Sequence, residues 1–529
     1  MSTLFFNFFR LFFVCQILRE LWDILHNMYN FHSFYPGPHP KRTPEYDCDI
    51  TIKNLKDIFA SCGDFQNRKL DFGLGGEIFP EVCWLDGVVS GDSVSQDIIR
   101  PLTDLLRSQA RSPEECARLI KEGLVYSYSP SERTKMDDVV SDLTHGHCAI
   151  VFDTLKLALC FEVRTSNVRS ISDPTLEKSL KGGKDSFVET LRINTSLVRR
   201  RICSPKLKLV ESSIGRKSNT RVAMMFIDGV ADPAKVEELA SRLDNIDVDV
   251  LLSNGVLEAH IVDAPLSPFP QLLHTERPER FAMYLSDGRI GLLVDGLPVG
   301  VVLPASFGEF MKVTGDNGMH FLVSSSLSLL RYLALVLSLF LPALYVAVAM
   351  YHQEMIPTKL LLSIIDAKQD VPFSTALEVL SMLVAFGLLQ EAGLRLPNPI
   401  GDTVSIIGAL IVGQSAVEAR LVSPIAIIVV AVSGIACYTL PSQDMGSAIK
   451  LCRLLMLLAA IAAGFFGIGI FCCILLLHLA GIDSFGVDYT APLSGGRPGG
   501  LMRMLLRRPI PDRKFRNPDL NTPDRRRQK

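Results

Sequence analysis

The pattern of apolar and polar positions changes abruptly near Phe321. Residues 1–320 interleave apolar and charged positions, residues 321–480 are dominated by long apolar runs, and a basic tail follows. A helical crossing of the bilayer core needs ~20 mostly apolar residues, so this zone has room for several. Leu322–Met350 predicts a first crossing, with Arg331 near its beginning and Pro342 inside it, and HQEMIPTK (352–359) is a polar break. The stretches 360–373 and 374–393 are apolar on one side but carry Asp366, Asp370, Glu378 and Glu391. They predict interfacial, re-entrant or bundle-facing segments. After RLPNPIGD (395–402), Thr403–Val417 and Leu421–Leu440 form a short pair, and Cys452–Ala480 is the last and most apolar run. Basic residues near a membrane helix favour the cytoplasmic face, which places the large domain and the tail together and makes the number of crossings even. The expectation is four, at about 322–350, 403–418, 421–440 and 452–480, with 360–393 at the interface or re-entering. A crossing at 374–393 is the alternative, and it puts the tail outside.

Upstream, two stretches read alike. VCWLDGVV (82–89) predicts a strand ending in Asp86-Gly87, then a helix through Leu106, then paired strands in LTHGHCAIVFD (143–153) and KLALCFEV (156–163). MMFIDGVA (224–231) ends likewise in Asp228-Gly229. A helix follows with Asp232 as N-cap and Pro233 at its first position. LSDGRIGLLVD (285–295) and LPVGVVLP (297–304) then form a hairpin turning at Asp295-Gly296. One ungapped offset of 142 residues relates Asp86 to Asp228, Gly87 to Gly229, Leu143 to Leu285, Gly146 to Gly288 and Asp153 to Asp295. The Asp-Gly dipeptide alone is common at turns, but five matches in the same structural roles predict a tandem duplication. The fold class is therefore an α/β N-terminal region of two similar tandem subdomains with mixed sheets, followed by an all-α polytopic membrane domain. The expected boundaries are an N-terminal extension (1–70), a first subdomain (71–164), a linker and helix (165–204), a second subdomain (205–318), the transmembrane domain (319–481) and the basic tail (482–529).

Composition sharpens this. Mean hydropathy is +0.27 and 48% of residues are hydrophobic, between a soluble and an all-membrane chain. Residues 1–320 hold 36 Lys+Arg against 43 Asp+Glu, residues 321–481 hold 7 against 8, and residues 482–529 hold 11 against 5. The acidic balance of the large domain argues against a nucleic-acid partner. The tail suits anionic lipid at the cytoplasmic face or simple solvation. The 12 cysteines are scattered without C-x-x-C or zinc spacing, which reads as reduced thiols in a reducing compartment. FGLGGE (72–77) lacks Rossmann and P-loop spacing, and His145 and His147 beside Cys148 have no further ligands at metal spacing, so neither an enzyme nor a cofactor is expected. The first 30 residues are apolar, interrupted by Arg10, Arg19 and Glu20, with no small-residue cleavage site after them. They read as an interfacial amphipathic helix or as an over-extended start ahead of Met28.

Two clusters carry candidate function. FVETLRINTSLVRRRI (187–202) is helical, with Phe187, Leu191, Val198 and Ile202 on or near one face and Arg199, Arg200 and Arg201 bunched together. Such a run binds an anionic partner or lipid headgroups, or is a solvated face. SIIGALIVGQSAVEAR (405–420) carries the small residues Ser405, Gly408 and Gly413, with Gln414 and Glu418 four apart on one helical face. Small residues permit close helix packing, polar residues at membrane depth face a bundle interior or a water path, and a ring of carboxylates from several subunits attracts cations. The plain alternative is that Glu418 caps the membrane boundary and pairs with Arg420.

The stretches FVETLRINTSLVRRRI (187–202), SPFPQLLHTERPER (267–280), LPALYVAVAMYHQEMIPTKLLLSI (341–364) and QEAGLRLPNPIGDTVSIIGALIVGQSAVEA (390–419) together resemble the A subunit of the GerA-type spore germinant receptors, over roughly residues 80–500. The chain departs from that pattern at Arg420, where a small residue is expected, and at Gly182-Gly183, where a proline is expected. The resemblance implies a multi-pass protein of the spore inner membrane with its N-terminal domain and C-terminal tail facing the spore core. It implies an oligomeric cation-conducting subunit, acting with a transporter-like B subunit that binds the nutrient and with a lipoprotein C subunit. On this reading Ser405, Gly408, Gly413, Gln414 and Glu418 face the pore or bundle, and Arg199, Arg200, Arg201, Glu354 and Glu391 are candidate coupling or interface residues. A SpoVAF-type accessory channel that amplifies ion release, and a non-conducting scaffold, remain alternatives.

Overall fold

The computed structural model describes residues 45–70, 80–103, 112–125, 130–163, 177, 182–395, 413–494 and 500–528. The first subdomain begins before residue 71. Helix α1 (Ile52–Ile58), capped by the Thr51 side chain, and strand β1 (Phe65–Lys69) belong to it, so the expected extension contributes an edge strand. β2 (Glu81–Leu85) follows, then helical turns over 91–103, α2 (Pro113–Leu119), β3 (Ser131–Arg133), α3 (Met136–Thr144), β4 (His147–Phe152) and β5 (Leu157–Glu162). The second subdomain repeats this after α4 (Leu191–Arg201): β6 (Leu207–Ile214), β7 (Thr220–Ile227), α5 (Pro233–Asp244), α6 (Asn254–Ile261), β8 (Leu273–Thr275), α7 (Pro278–Ser286), β9 (Ile290–Val294) and β10 (Gly300–Leu303).

The strand orders are β1-β2-β4-β5-β3 and β6-β7-β9-β10-β8, the same order twice. The 142-residue offset maps Ser131–Arg133 onto Leu273–Thr275 and Met136–Thr144 onto Pro278–Ser286, end for end. Gly87 and Gly229 (φ 87° and 75°), and Gly146 and Gly288 (φ 90° and 99°), take the left-handed conformation in both copies, which is why glycine recurs there. The sheets are not mixed: every ladder between the described strands is antiparallel. Residues 143–146 and 285–289, expected as strand, finish a helix and turn before β4 and β9 begin. Each sheet is buried on both faces, with separate apolar clusters on its two sides.

Helix α4 joins the copies. A helix advances about 100° per residue, so consecutive arginines diverge: Arg199 is fully buried and Arg201 is exposed. Arg199 makes a two-pronged ion pair with buried Asp64 (2.7 and 2.9 Å) and donates to the carbonyls of Ser204 and Leu207. Arg201 pairs with Asp185 at 2.7 Å. The solvated-face reading therefore fails for Arg199. Beside it Gly63 N–H donates to Leu209 O and Leu209 N–H to Ser61 O, so backbone pairing reinforces the joint.

The membrane domain departs most from expectation. α8 (Phe321–Tyr351) is the first expected crossing. Arg331 forms a two-pronged pair with Asp316 (2.7 and 2.8 Å), and Ser325 meets Arg507, so its first ten or so residues lie beside the soluble domain. The remaining length, about 29 Å at 1.5 Å per residue, matches one bilayer core. α9 (Thr358–Lys368) has no buried residue. α10 (Thr375–Arg395) is long and apolar enough to cross, which fits the alternative of a crossing at 374–393. α11 (Pro424–Tyr438) has only 15 residues, and of the expected span 403–418 residues 403–412 lie outside the described residues.

The last apolar stretch, α12 (Gln443–Ala480), is not one crossing. Its backbone leaves helical geometry at Ala463 (φ −144°, ψ 17°) and Gly464 (φ 60°, ψ −136°). Beyond that point Gly467 abuts the Ala459 carbonyl, eight residues back. Near its start Asp444 lies 3.3 Å from His274, and near its end His478 lies 2.9 Å from Ser267, both partners in the second subdomain. A straight helix would hold Asp444 and His478 about 51 Å apart. The stretch is therefore a helical hairpin with its tip at Gly464. The Tyr351 ring packs on that glycine, and its hydroxyl donates to Ile461 O at 2.6 Å, satisfying a carbonyl that the reversal frees.

After α13 (Gly500–Leu505) the basic tail packs on the second subdomain instead of standing free. Lys235 donates to Leu520 O (2.9 Å), Arg516 to Ser286 O (2.9 Å), and Arg527 pairs with Asp287 (2.8 Å). All described cysteines are free thiols.

Two outcomes follow. Replacing Arg199 by Ala strands a buried carboxylate and should cost about 3–5 kcal/mol, against no more than about 1 kcal/mol for Arg201→Ala. Thermal unfolding followed by Trp84 fluorescence measures both. In a cysteine-free background, single cysteines at Gln443 and Gly481 should react with an impermeant maleimide from the same face of the membrane. Labelling from opposite faces would mean a straight crossing.

Candidate pore segment and the domain–membrane joint

Of the expected pore residues, Ser405 and Gly408 lie outside the described residues. Gly413 is buried at the start of a helical segment ending near Ala419. Gln414 Nε2 donates to Glu418 Oε1 at 2.9 Å, and both side chains lie exposed on one face of the protomer. Arg420 turns away and pairs with Asp370 at 2.8 Å, so a Glu418–Arg420 cap is not formed. Arg420 has φ 55°, while Leu421 N–H donates to Ala416 O (2.9 Å) and Arg420 N–H to Val417 O (2.9 Å). This is the helix-ending left-handed position that favours glycine, which accounts physically for the small residue expected there. The result is a hydrogen-bonded polar pair, an amide and a carboxylate, on an outward face of the helical bundle.

The charges that made 374–393 look non-spanning are put to use. Glu378 is 1% exposed, and its Oε2 accepts the backbone N–H of Ser423, the N-cap of α11, at 3.1 Å. Lys368 Nζ lies 3.5 Å from its other oxygen. A carboxylate at a helix N-terminus is favoured by the helix dipole. Glu391 is exposed on α10, and Glu354 is exposed in the loop after α8. Within the Arg199–Arg201 run, Arg199 serves the joint between the two copies through Asp64, and Arg201 pairs with Asp185. The sequence reading missed Arg453, buried on the first leg of the hairpin and donating to Ser433 Oγ at 3.4 Å, because an isolated arginine in an apolar run signals only its own rarity.

At the foot of the hairpin lies a mixed cluster. His274, at the middle of β8, stands between Glu258 of α6 (3.8 Å) and Asp444 of α12 (3.3 Å). Burial works against protonation of His274, but the hydrogen bond to Asp444 and the charges of Glu258 and Asp444 outweigh it, so its pKa is raised. Burial raises the Glu258 pKa, partly opposed by His274. Next to the cluster a cavity of about 270 Å³ is lined by Glu258, Asp444, Phe269 and Gln271 among others. His478 and Asp444, the two feet, thus rest on one small patch of the second subdomain.

A two-copy α/β domain on a helical membrane bundle, with these joints, defines a polytopic membrane protein carrying a large soluble domain. The family model described as Bacillus/Clostridium GerA spore germination protein matches residues 53–519, and the chain belongs to that family. Spore germination protein KA of Bacillus subtilis (strain 168) is 34% identical over 458 residues, covering 87% of this chain and 84% of that protein. Spore germination protein B1 of the same organism is 32% identical over 480 residues, covering 90% and 98%. An uncharacterized membrane protein of that organism, YfkQ, is 35% identical over 458 residues, covering 87% and 88%. The crystal structure of the N-terminal domain of the A subunit of the Bacillus megaterium spore germinant receptor GerK3 is 28% identical, with a TM-score of 0.40, covering 50% of this chain and 99% of that domain.

The His274 cluster has a pH sign. A folded-state pKa above the ordinary ~6.5 makes the stabilisation complete below that value and lost as pH rises through the raised one. Glu258, also raised, acts in the same direction. Thermal stability of the detergent-solubilised protein should therefore fall more steeply above pH ~6.5 than that of His274→Gln, and parallel curves would remove the cluster from the pH response.

Proposed function

We propose that this chain is the ion-conducting membrane subunit of a spore germinant receptor, opened when a nutrient occupies a partner subunit. The observation that carries the reading is the Gln414–Glu418 pair: polar, hydrogen-bonded, and exposed on an outer face of the membrane domain. A polar face at membrane depth is disfavoured against lipid and favoured against water or a second polar surface. Several copies turning this face inward would line a path with amide and carboxylate groups, a lining that draws cations. Membership of a spore germination family supports the setting: the spore inner membrane, with the duplicated domain and tail on the core side and transporter-like B and lipoprotein C subunits as partners.

The hairpin foot supplies the coupling route. A displacement of the second subdomain acts at once on α8, on both legs of the hairpin and on the tail, because each is anchored to it.

Spores carrying Gln414→Leu with Glu418→Leu should lose nutrient-triggered cation release while keeping wild-type amounts of the protein in the inner membrane. Cation efflux after nutrient addition is the measurement. Normal efflux from these spores would remove the pore assignment, and loss confined to one nutrient class would tie the chain to a dedicated receptor.

A further inference from the structure

The turn that precedes the second subdomain's last strands is built to display a single leucine. Ser267 N–H donates to Ala264 O (3.1 Å), closing a turn with Pro265 second and Leu266 third, where proline fixes the backbone in advance. Gln271, almost fully buried, clamps the turn's base: its Nε2 donates to Ala264 O (2.6 Å) and its Oε1 accepts Ala264 N–H (3.1 Å). On the other side the Ser267 hydroxyl accepts Phe269 N–H (3.2 Å) and is hydrogen-bonded to His478 Nε2 (2.9 Å), with the Phe269 and His478 rings 6.0 Å apart. On this rigid support the Leu266 side chain is 99% exposed.

A leucine held wholly in water by a preorganised turn forgoes the gain of burial. What surrounds it says what covers it. His478 is two residues from the end of the hairpin's second leg, where that leg leaves the apolar zone. In the same helical turn Leu476 and Leu477 are 61% and 74% exposed, the outward surface of a membrane-inserted helix. Leu266 adjoins Ser267, whose hydroxyl is hydrogen-bonded to His478, so the turn stands beside the hairpin foot. We infer that the Ala264–Ser267 turn is a membrane-interface anchor, with Leu266 seated among the headgroup-proximal acyl chains of the leaflet facing the soluble domain.

An anchor there adds a contact independent of the hairpin feet, fixing both the height and the tilt of the second subdomain over the bilayer. Interfacial aliphatic side chains of this kind bind through buried apolar area.

The test is the full-length Leu266→Trp protein in lipid nanodiscs, read as the emission difference from the parent, whose own tryptophans are Trp22 and Trp84. The added indole should emit to the blue and be quenched by phospholipids brominated near the headgroup end of the acyl chain, more than by those brominated near the chain terminus. Emission of a water-exposed indole, open to aqueous acrylamide, overturns the proposal. So does blue emission that neither quencher reaches, which would mean that protein covers the site. As a second reading, Leu266→Asp should keep the parent's thermal stability in detergent yet lose the stabilisation that the parent gains on transfer to nanodiscs. An equal gain for both proteins would also overturn the anchor.

Discussion

The reversal at Ala463–Gly464 is the constraint on which the rest of the arrangement depends. It turns a mostly apolar stretch of 38 residues from one long rod into two legs, and so returns the chain to the side it left. In a bilayer no water can satisfy a backbone carbonyl released by such a turn, and each unsatisfied group costs several kcal/mol. Two residues solve the problem locally. Gly464 adopts a backbone conformation that a side chain would strain, and Tyr351 gives its hydroxyl to Ile461 O. Because Tyr351 ends α8, the far end of that helix is pinned to the tip of the hairpin.

The duplication is nearly perfect in topology and unequal in use. Both apolar clusters of the first copy close around its own sheet. In the second copy one face does not close. Its cluster runs from Leu209 and Phe281 through Tyr332 and Ala343 into Met445, Met456 and Ile468, so domain and membrane bundle share one apolar core. Antiparallel sheets usually tolerate one solvated face; here that freedom has been spent on the membrane helices in one copy and on an extra helical layer in the other. The first copy is joined to the second through α4, where the Arg199–Asp64 pair lies in a buried setting. A buried ion pair adds little net stability over an apolar substitute but penalises every arrangement in which it is broken, which suits a joint that must keep one register.

Much of this could be read from the residues, and the failures have physical causes. The duplication was legible because glycine recurs wherever the backbone must take positive φ, and Asp-Gly turns therefore survive at a fixed spacing. The hairpin was not, since the hydropathy of 443–480 is the same straight or folded, and Gly464 is one of three glycines within six residues. The role of Glu378 was not legible, because it counts as a charge in sequence but serves as a helix cap in space. Three adjacent arginines looked like one patch, although helical geometry sends Arg199 inward and Arg201 outward. At the candidate pore the spacing of Gln414 and Glu418 gave their shared face, whereas the release of Glu418 from Arg420 depended on Asp370, fifty residues away and legible only in three dimensions.

The packing of the tail has a consequence for how such a chain is made. Thr522 lies against Gly288 at a distance that leaves no room for a side chain, while Lys235 and Asp287 hold partners contributed by Leu520 and Arg527. These contacts come from residues that leave the ribosome after α12 has been synthesised. The second copy of the domain, translated early, thus stays open along this edge until the bundle is inserted and the tail emerges on the correct side. Residues 516–527 work as a closing clasp: where they cannot reach the second subdomain, the edge around Lys235, Ser286 and Asp287 stays exposed.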